Sequence, residues 1–197
     1  MGSPDIRLAN MHIDTLFTNV LDIPAESLQK IRGIATLVKF PKGHLLFRAG
    51  KLERDLYFVV KGIARVYYHH HANEVTLCFG AEGEALISLK SYITDQPGYE
   101  NIELLEPCEL IQLKTADLQH LYATDIHLAN WGRKLAEQEL IKTEERLMSR
   151  QFKTATARYS ELMTHHPHLL LRVQLGHIAS YLGVNQVTLS RIRADIR

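Results

Sequence analysis

Residues 41–68 read PKGHLLFRAGKLERDLYFVVKGIARVYY. A Pro-x-Gly turn at 41–43 leads into the apolar run HLLF. Gly50 and Gly62 are separated by 11 residues, and DLYFVVKG lies in that interval. Val, Phe and Tyr suit a pleated surface, and glycines suit turns that need positive φ or close backbone approach. One glycine pair would be a weak signal, but this ordered alternation of turns and strands is specific. Outward from it lie IATLVKF (34–40), EVTLCF (74–79) and CELIQLK (108–114), each bounded by Gly, Pro or charged residues. The spacing predicts an all-β sandwich or barrel from about residue 34 to 114.

Helical patterns flank this region. PAESLQKIR (24–32) places Pro24 at a first helical position, and TADLQHLYA (115–123) opens with Thr115 as a cap. A long polar helix is predicted over 126–152. Leu128, Trp131, Leu135 and Ile141, with Leu147, mark a narrow apolar stripe interrupted by Gln138, Glu139 and Lys142. Such a stripe needs a partner, either the helix's own domain or a second copy of itself. We expect a homodimer.

The chain has 197 residues, 46% hydrophobic and 23% charged, which fits a folded globular protein. No run approaches the roughly 18 apolar residues of a membrane span, and the first residues lack the apolar core of a secretory signal. Two cysteines, Cys78 and Cys108, suit a reducing cytoplasm. The net charge of +1 conceals a division. Residues 1–132 hold 12 Lys and Arg against 16 Asp and Glu, whereas 133–197 hold 11 against 6. An acidic front and a basic tail point to a polyanion met by the tail alone.

That tail ends in LGHIASYLGVNQVTLSRIRADI, residues 175–196. Ile178, Leu182, Val184, Leu189 and Ile192 fall where two crossed helices bury a shared face. Ala179 is small at their closest approach, Gly183 suits a left-handed turn, and Asn185 can cap the second helix. This is a helix-turn-helix pattern, with double-stranded DNA as its expected partner. The second helix presents Asn185, Gln186, Val187, Thr188, Ser190, Arg191 and Arg193 as candidate contacts. Gln pairs bidentately with adenine, Arg with guanine or phosphate, and Val187 can touch a thymine methyl. Residues 150–197 hold seven Lys and Arg against two acids, a balance suited to phosphate contact.

Taken together, residues 41–68, the long helix and the C-terminal motif resemble the Crp/Fnr family of bacterial transcription regulators over most of the chain. The resemblance implies an α+β fold. Its parts are an N-terminal antiparallel β jelly roll with flanking helices (1–124), a dimerisation helix and linker (125–152) and a small helix-turn-helix domain (153–197). The expected function is a homodimeric, DNA-binding transcriptional regulator, with RNA polymerase as a further candidate partner and an unknown small molecule as effector. Only 14 residues follow Gly183, so no β-hairpin wing is expected after the second helix.

Family members that bind cyclic AMP use a Gly-Glu pair and, about ten residues later, an Arg-Ser pair. The guanidinium holds the cyclic phosphate and the carboxylate holds the ribose. Here Gly83 and Glu84 match the leading turn by spacing. The pocket pair falls near Ile87 and Ser88, and the Arg-Ser pair near Gly98 and Tyr99. No arginine occurs between Arg65 and Arg133, and Lys90 lacks a planar fork. The resemblance thus places an effector pocket at Gly83, Glu84, Leu86, Ser88, Tyr99 and Asn101, in which cyclic nucleotide is disfavoured and no cofactor is identified. The alternative is a small-molecule sensor with a vestigial DNA-binding domain.

No metal site is expected. His69, His70 and His71 alternate faces on a strand pattern, and His165, His166 and His168 surround Pro167 in a turn. Cys78 and Cys108 read as core thiols. No nucleophile triad or phosphate-binding loop motif is present, so no enzyme activity is expected.

Overall fold

A computed structural model describes residues 13–71 and 73–196. It is a mixed fold of helices and antiparallel sheet. Helix α1 covers 13–20, and α2 is Ala25–Ile34. The strands are β1 (Ala35–Phe40), β2 (Leu45–Phe47), β3 (Leu56–Lys61), β4 (Ala64–His70), β5 (Asn73–Gly80), β6 (Ala85–Leu86), β7 (Asn101–Leu104) and β8 (Cys108–Leu113), with α3 (Leu89–Thr94) between β6 and β7. Then come α4 (Thr115–Thr124), α5 (Ile126–Phe152), α6 (Ala155–His165), α7 (Pro167–Arg172), α8 (Leu175–Leu182) and α9 (Gln186–Asp195).

Two four-stranded sheets form, in the orders β1-β8-β3-β6 and β2-β7-β4-β5. Strand β8 pairs antiparallel with β1, in a register from Ala35 opposite Leu113 to Phe40 opposite Cys108, and with β3 on its other side. The β3–β8 register shifts between Val59 and Lys61. Gly62 follows with φ 114°, and a Cβ there would stand 2.3 Å from Cys108 Sγ. Only glycine serves both demands at once.

By contacts the chain divides into two compact units. The first runs up to Val66 and resumes at Phe79–Glu139; the second joins Tyr67–Cys78 to the chain from Leu140 onward. In the first, one apolar cluster gathers Phe17, Ile31, Phe58, Ile111, Leu118, Leu128 and Trp131, and another gathers Phe47, Tyr57, Val59, Ala64, Ile102 and Leu110. In the second, Tyr159, Leu162, Leu169, Ile178, Ala179, Leu182, Leu189 and Ile192 are buried.

Several local expectations shift. Pro24 is the N-cap of α2 rather than its first residue, and Thr115 follows Lys114, the N-cap of α4, while its hydroxyl donates to the Arg54 carbonyl. Cys78 is half-buried, not a core thiol, whereas Cys108 is buried and burial pushes its thiol up. Val184 is half-buried. The short elements β6, α3 and β7 had no counterpart in the sequence reading, since runs of two to six residues carry too little periodicity.

Candidate nucleic-acid interface and effector site

In the second unit α8 ends on Gly183, whose φ of 69° and ψ of 31° are left-handed, and its N–H returns to the Ser180 carbonyl at 3.1 Å. The chain then reverses into Asn185, which is extended. Its Oδ1 accepts the Thr188 N–H at 2.8 Å and closes the first turn of α9. Leu189 and Ile192 point inward at 0% and 8% exposure. Gln186, Val187, Ser190, Arg191 and Arg193 are exposed, Val187 at 61%. These residues form adjacent rows three and four apart, hence one face. Asn185 spends its side-chain oxygen on the cap, and Thr188 is half-buried. Gln186 lies against α8: its amide nitrogen is 2.6 Å from where a Cβ of Gly176 would be.

Part of the tail's positive charge has internal work. The Arg158 guanidinium donates to the Leu182 carbonyl at 2.7 and 3.2 Å, and Arg150 donates to the Ser180 carbonyl at 3.4 Å. Both cations stand at the negative end of α8 and bind its last carbonyls. Lys153 pairs with Glu161. These three belong to the folding of the unit, leaving exposed Arg191 and Arg193 to give α9 its charge.

In the first unit, the six candidate effector residues do not converge. Gly83 and Glu84 belong to a turn clasped by β3: the Gly83 N–H donates to the Val59 carbonyl at 2.8 Å, and the Glu84 carbonyl accepts from Val59 N–H at 3.0 Å. Leu86 is a core residue at 2% exposure, not a pocket wall, because β6 turns it into the cluster around Ile102 and Leu110. Tyr99 is 67% exposed, with the Lys90 ammonium 5.6 Å from its ring centre.

Ser88 and Asn101 are both buried, as are Ser91 and Glu100, which the sequence reading did not name. Ser88 Oγ donates to Ser91 Oγ at 3.3 Å, and Ser91 Oγ donates to the Gln96 carbonyl at 3.0 Å. A Cβ at Gly98 would stand 2.5 Å from Ser88 Oγ and 3.2 to 3.3 Å from the Glu100 carboxylate oxygens. The Glu100 carboxylate accepts the Tyr99 N–H at 3.0 Å. Asn101 Oδ1 accepts the Ala49 N–H at 3.0 Å, while its Nδ2 is buried with no partner among the described residues. The Glu100 carboxylate is thus buried near Ser88.

Of the expected dimer residues, Leu128 and Trp131 lie in the core of their own chain at 0% exposure, which removes them from any contact with a second copy. Trp131 Nε1 donates to the Phe17 carbonyl at 2.8 Å, and its ring meets Phe17 and Phe58 at centroid distances of 5.9 and 6.0 Å. Leu135 packs partly on the same cluster, and Ile141 is 53% exposed. Beyond it Leu140, Leu147, Met148 and Phe152 are exposed too.

Residues 37–125 match the cyclic nucleotide-binding domain family. The chain's resemblance to the Crp/Fnr regulators is one of fold. FixK2 from Bradyrhizobium japonicum is similar over 83% of this chain and 84% of its own, at 18% identity and a TM-score of 0.74. The c-di-GMP responsive global regulator CLP from Xanthomonas campestris is similar over 88% and 91%, at 18% identity and 0.70. A protein described as a transcriptional regulator of the Crp/Fnr family, from Eubacterium rectale, is similar over 87% and 82%, at 16% identity and 0.68. At such identities the shared property is the fold. No curated protein matches the sequence. Among the described residues no helix is long and apolar enough to cross a membrane, and no three His, Cys, Asp or Glu side chains gather as a metal site.

Proposed function

We propose that this chain is a homodimeric, DNA-binding transcriptional regulator of the Crp/Fnr type. The observation that carries this reading is the α8–Gly183–α9 unit. Its inner face is apolar and buried, its outer face offers Gln186, Val187, Ser190, Arg191 and Arg193, and its N-terminal turn is capped by Asn185. A helix so supported can lay its first turns against base edges in a major groove. The functional division is a sensor jelly roll (1–124), a dimer helix (125–152) and a reading domain (153–197). The two four-stranded sheets support the jelly roll. The seam of the dimer is the exposed set Leu140, Ile141, Leu147, Met148 and Phe152, in which 140 and 147, and 141 and 148, are seven apart.

The sensor does not take cyclic AMP in the family's usual mode. A buried Glu100 carboxylate near Ser88 opposes a phosphate, and the positions that spacing aligns with the family's Arg-Ser pair are Gly98 and Tyr99. Calorimetry of the full chain with cyclic AMP is expected to give no micromolar binding. Binding abolished by changing Ser88 or Tyr99 would refute this.

The test of the main reading is selection of duplexes from a random pool by the full-length dimer, with and without cell metabolites. Two similar half-sites about one helical turn apart are expected, bound in a salt-sensitive manner. Enrichment of no sequence would reject DNA reading.

A further inference from the structure

The strand β5 is the outer strand of its sheet. At its second-unit end the backbone is met by a side chain. The Thr76 N–H donates to Ser180 Oγ at 2.9 Å, and the Ser180 hydroxyl donates to the Glu74 carbonyl, also at 2.9 Å. One hydroxyl thus engages the carbonyl and the N–H that flank Val75. In a parallel ladder a single residue of the neighbouring strand does the same, with its N–H and its carbonyl. The Ser180 hydroxyl, donor and acceptor in one atom, stands in for that residue and closes a sheet edge that would otherwise be open.

Ser180 is also joined to two other elements. Its carbonyl accepts from Arg150 of α5 at 3.4 Å and from the Gly183 N–H at 3.1 Å, at the turn that launches α9. Within this unit, therefore, the β5 segment, the end of α5 and the turn before α9 meet at one residue of α8. Gly176, which receives the Gln186 amide, lies four residues earlier on the same face.

We infer that Ser180 is a positioning residue that latches the β4–β5 hairpin onto the first helix of the helix-turn-helix, so that a shift of the hairpin is carried to α9. The latch is specific to a hydroxyl: alanine offers neither bond, and threonine offers both. Its effect on DNA rests on the function proposed above; its effect on the hairpin does not.

The experiment is amide hydrogen exchange at Thr76 in the full chain, comparing the wild type with Ser180→Ala and Ser180→Thr. In Ser180→Ala the Thr76 amide is expected to exchange about tenfold faster while the amides of Leu189 and Ile192 keep their protection, as for a local opening. Ser180→Thr is expected to restore slow exchange. Unchanged exchange in Ser180→Ala, or equally fast exchange in both variants, would overturn the latch. On a duplex selected by the wild type, Ser180→Ala should bind about tenfold more weakly with the same base preference, because the reading residues are intact. Undiminished affinity would overturn the positioning role. A wild type that selects no duplex would reject the proposed function while the exchange result still judges the latch.

Discussion

The two halves of α5 carry similar residues in opposite surroundings. From Leu128 to Glu139 the large apolar positions are sunk into the first unit: Leu128 and Trp131 are fully buried, Leu135 is half-covered, and the Gln138 amide donates to the Val20 carbonyl at 3.2 Å. From Leu140 onward Leu140, Leu147 and Phe152 are 61% to 69% exposed, with polar residues between them. The first half is held by the chain's own core. The second shows exposed apolar side chains at Leu140, Ile141, Leu147, Met148 and Phe152, partly at the seven-residue spacing of a helix seam. A continuous helix can thus serve as core element at one end and as association surface at the other, and burial decides which.

The largest expected effect is in the first half. Trp131→Ala removes an indole that meets Phe17 edge-on and Phe58 at a tilt and donates to the Phe17 carbonyl, so a cavity remains and that carbonyl keeps only the Leu21 N–H at 3.4 Å. It should destabilise the chain by about 3–5 kcal/mol. Urea unfolding followed by circular dichroism checks this, since Trp131 is the only tryptophan. A loss below about 1 kcal/mol would mean that the first half is not anchored as described.

Next is the second half. Leu147→Asp should convert a dimer into a monomer by sedimentation at micromolar concentration, because a carboxylate would have to be desolvated in the seam. The far-ultraviolet spectrum should stay the same, since residue 147 contributes nothing to the chain's own core. Unaltered mass would break the contrast and return the second half to an ordinary solvated surface.

The sequence was informative where the chemistry is local. The limits of α5 at 126 and 152, the left-handed Gly183 and the Asn185 cap could all be read, because turn and cap residues act on their immediate neighbours. The destination of the stripe could not be read. Periodicity marks a face, and nothing in Leu128 or Leu147 alone says whether Phe17 or a second copy awaits it. The same holds for charge: Arg150 and Arg158 add to the basic balance of the tail in the sequence, and the fold brings them to the carbonyls of α8. Ser91 joins Ser88 one turn along α3, a helix too short for its periodicity to be read, and Glu100 comes near Ser88 only through the fold. Asp125, by contrast, was available as a cap directly before α5 and went unread.

A subtler change tests how closely the first half is seated. The Tyr122 ring lies on Gly132 of α5, where a Cβ would stand 2.7 Å from its ring carbon. Gly132→Ala gains about 1 kcal/mol of helix propensity. Overpacking a rigid aromatic costs typically 1–3 kcal/mol. The net should be a loss of about 1 kcal/mol in urea unfolding. A net gain would show that Tyr122 swings aside and that α5 is held by Trp131 alone.

The last effect is read in acid. Asp125 caps α5, its carboxylate accepting the N–H groups of His127 and Leu128 at 3.0 and 3.3 Å, the Ser27 hydroxyl at 2.9 Å and the Lys30 ammonium at 3.0 Å. Burial alone would raise its carboxyl, but these donors outweigh burial and hold it at about 2, below the ordinary 3.8. A carboxyl lowered by folding stabilises the native state fully above its unfolded value and loses that contribution as pH falls through the folded one. Wild-type stability should therefore drop between about pH 4 and pH 2 through this group. Asn can still cap α5 through its Oδ1, but its amide nitrogen cannot accept from Ser27 and Lys30, so Asp125→Asn should already lower stability at pH 7 by about what the wild type loses in acid. Its unfolding midpoint should fall less steeply than that of the wild type over the same interval, since an amide has no proton to gain. Parallel acid limbs would mean that the start of α5 owes nothing to this charge, and that the first half of the helix is held in place by its apolar face alone.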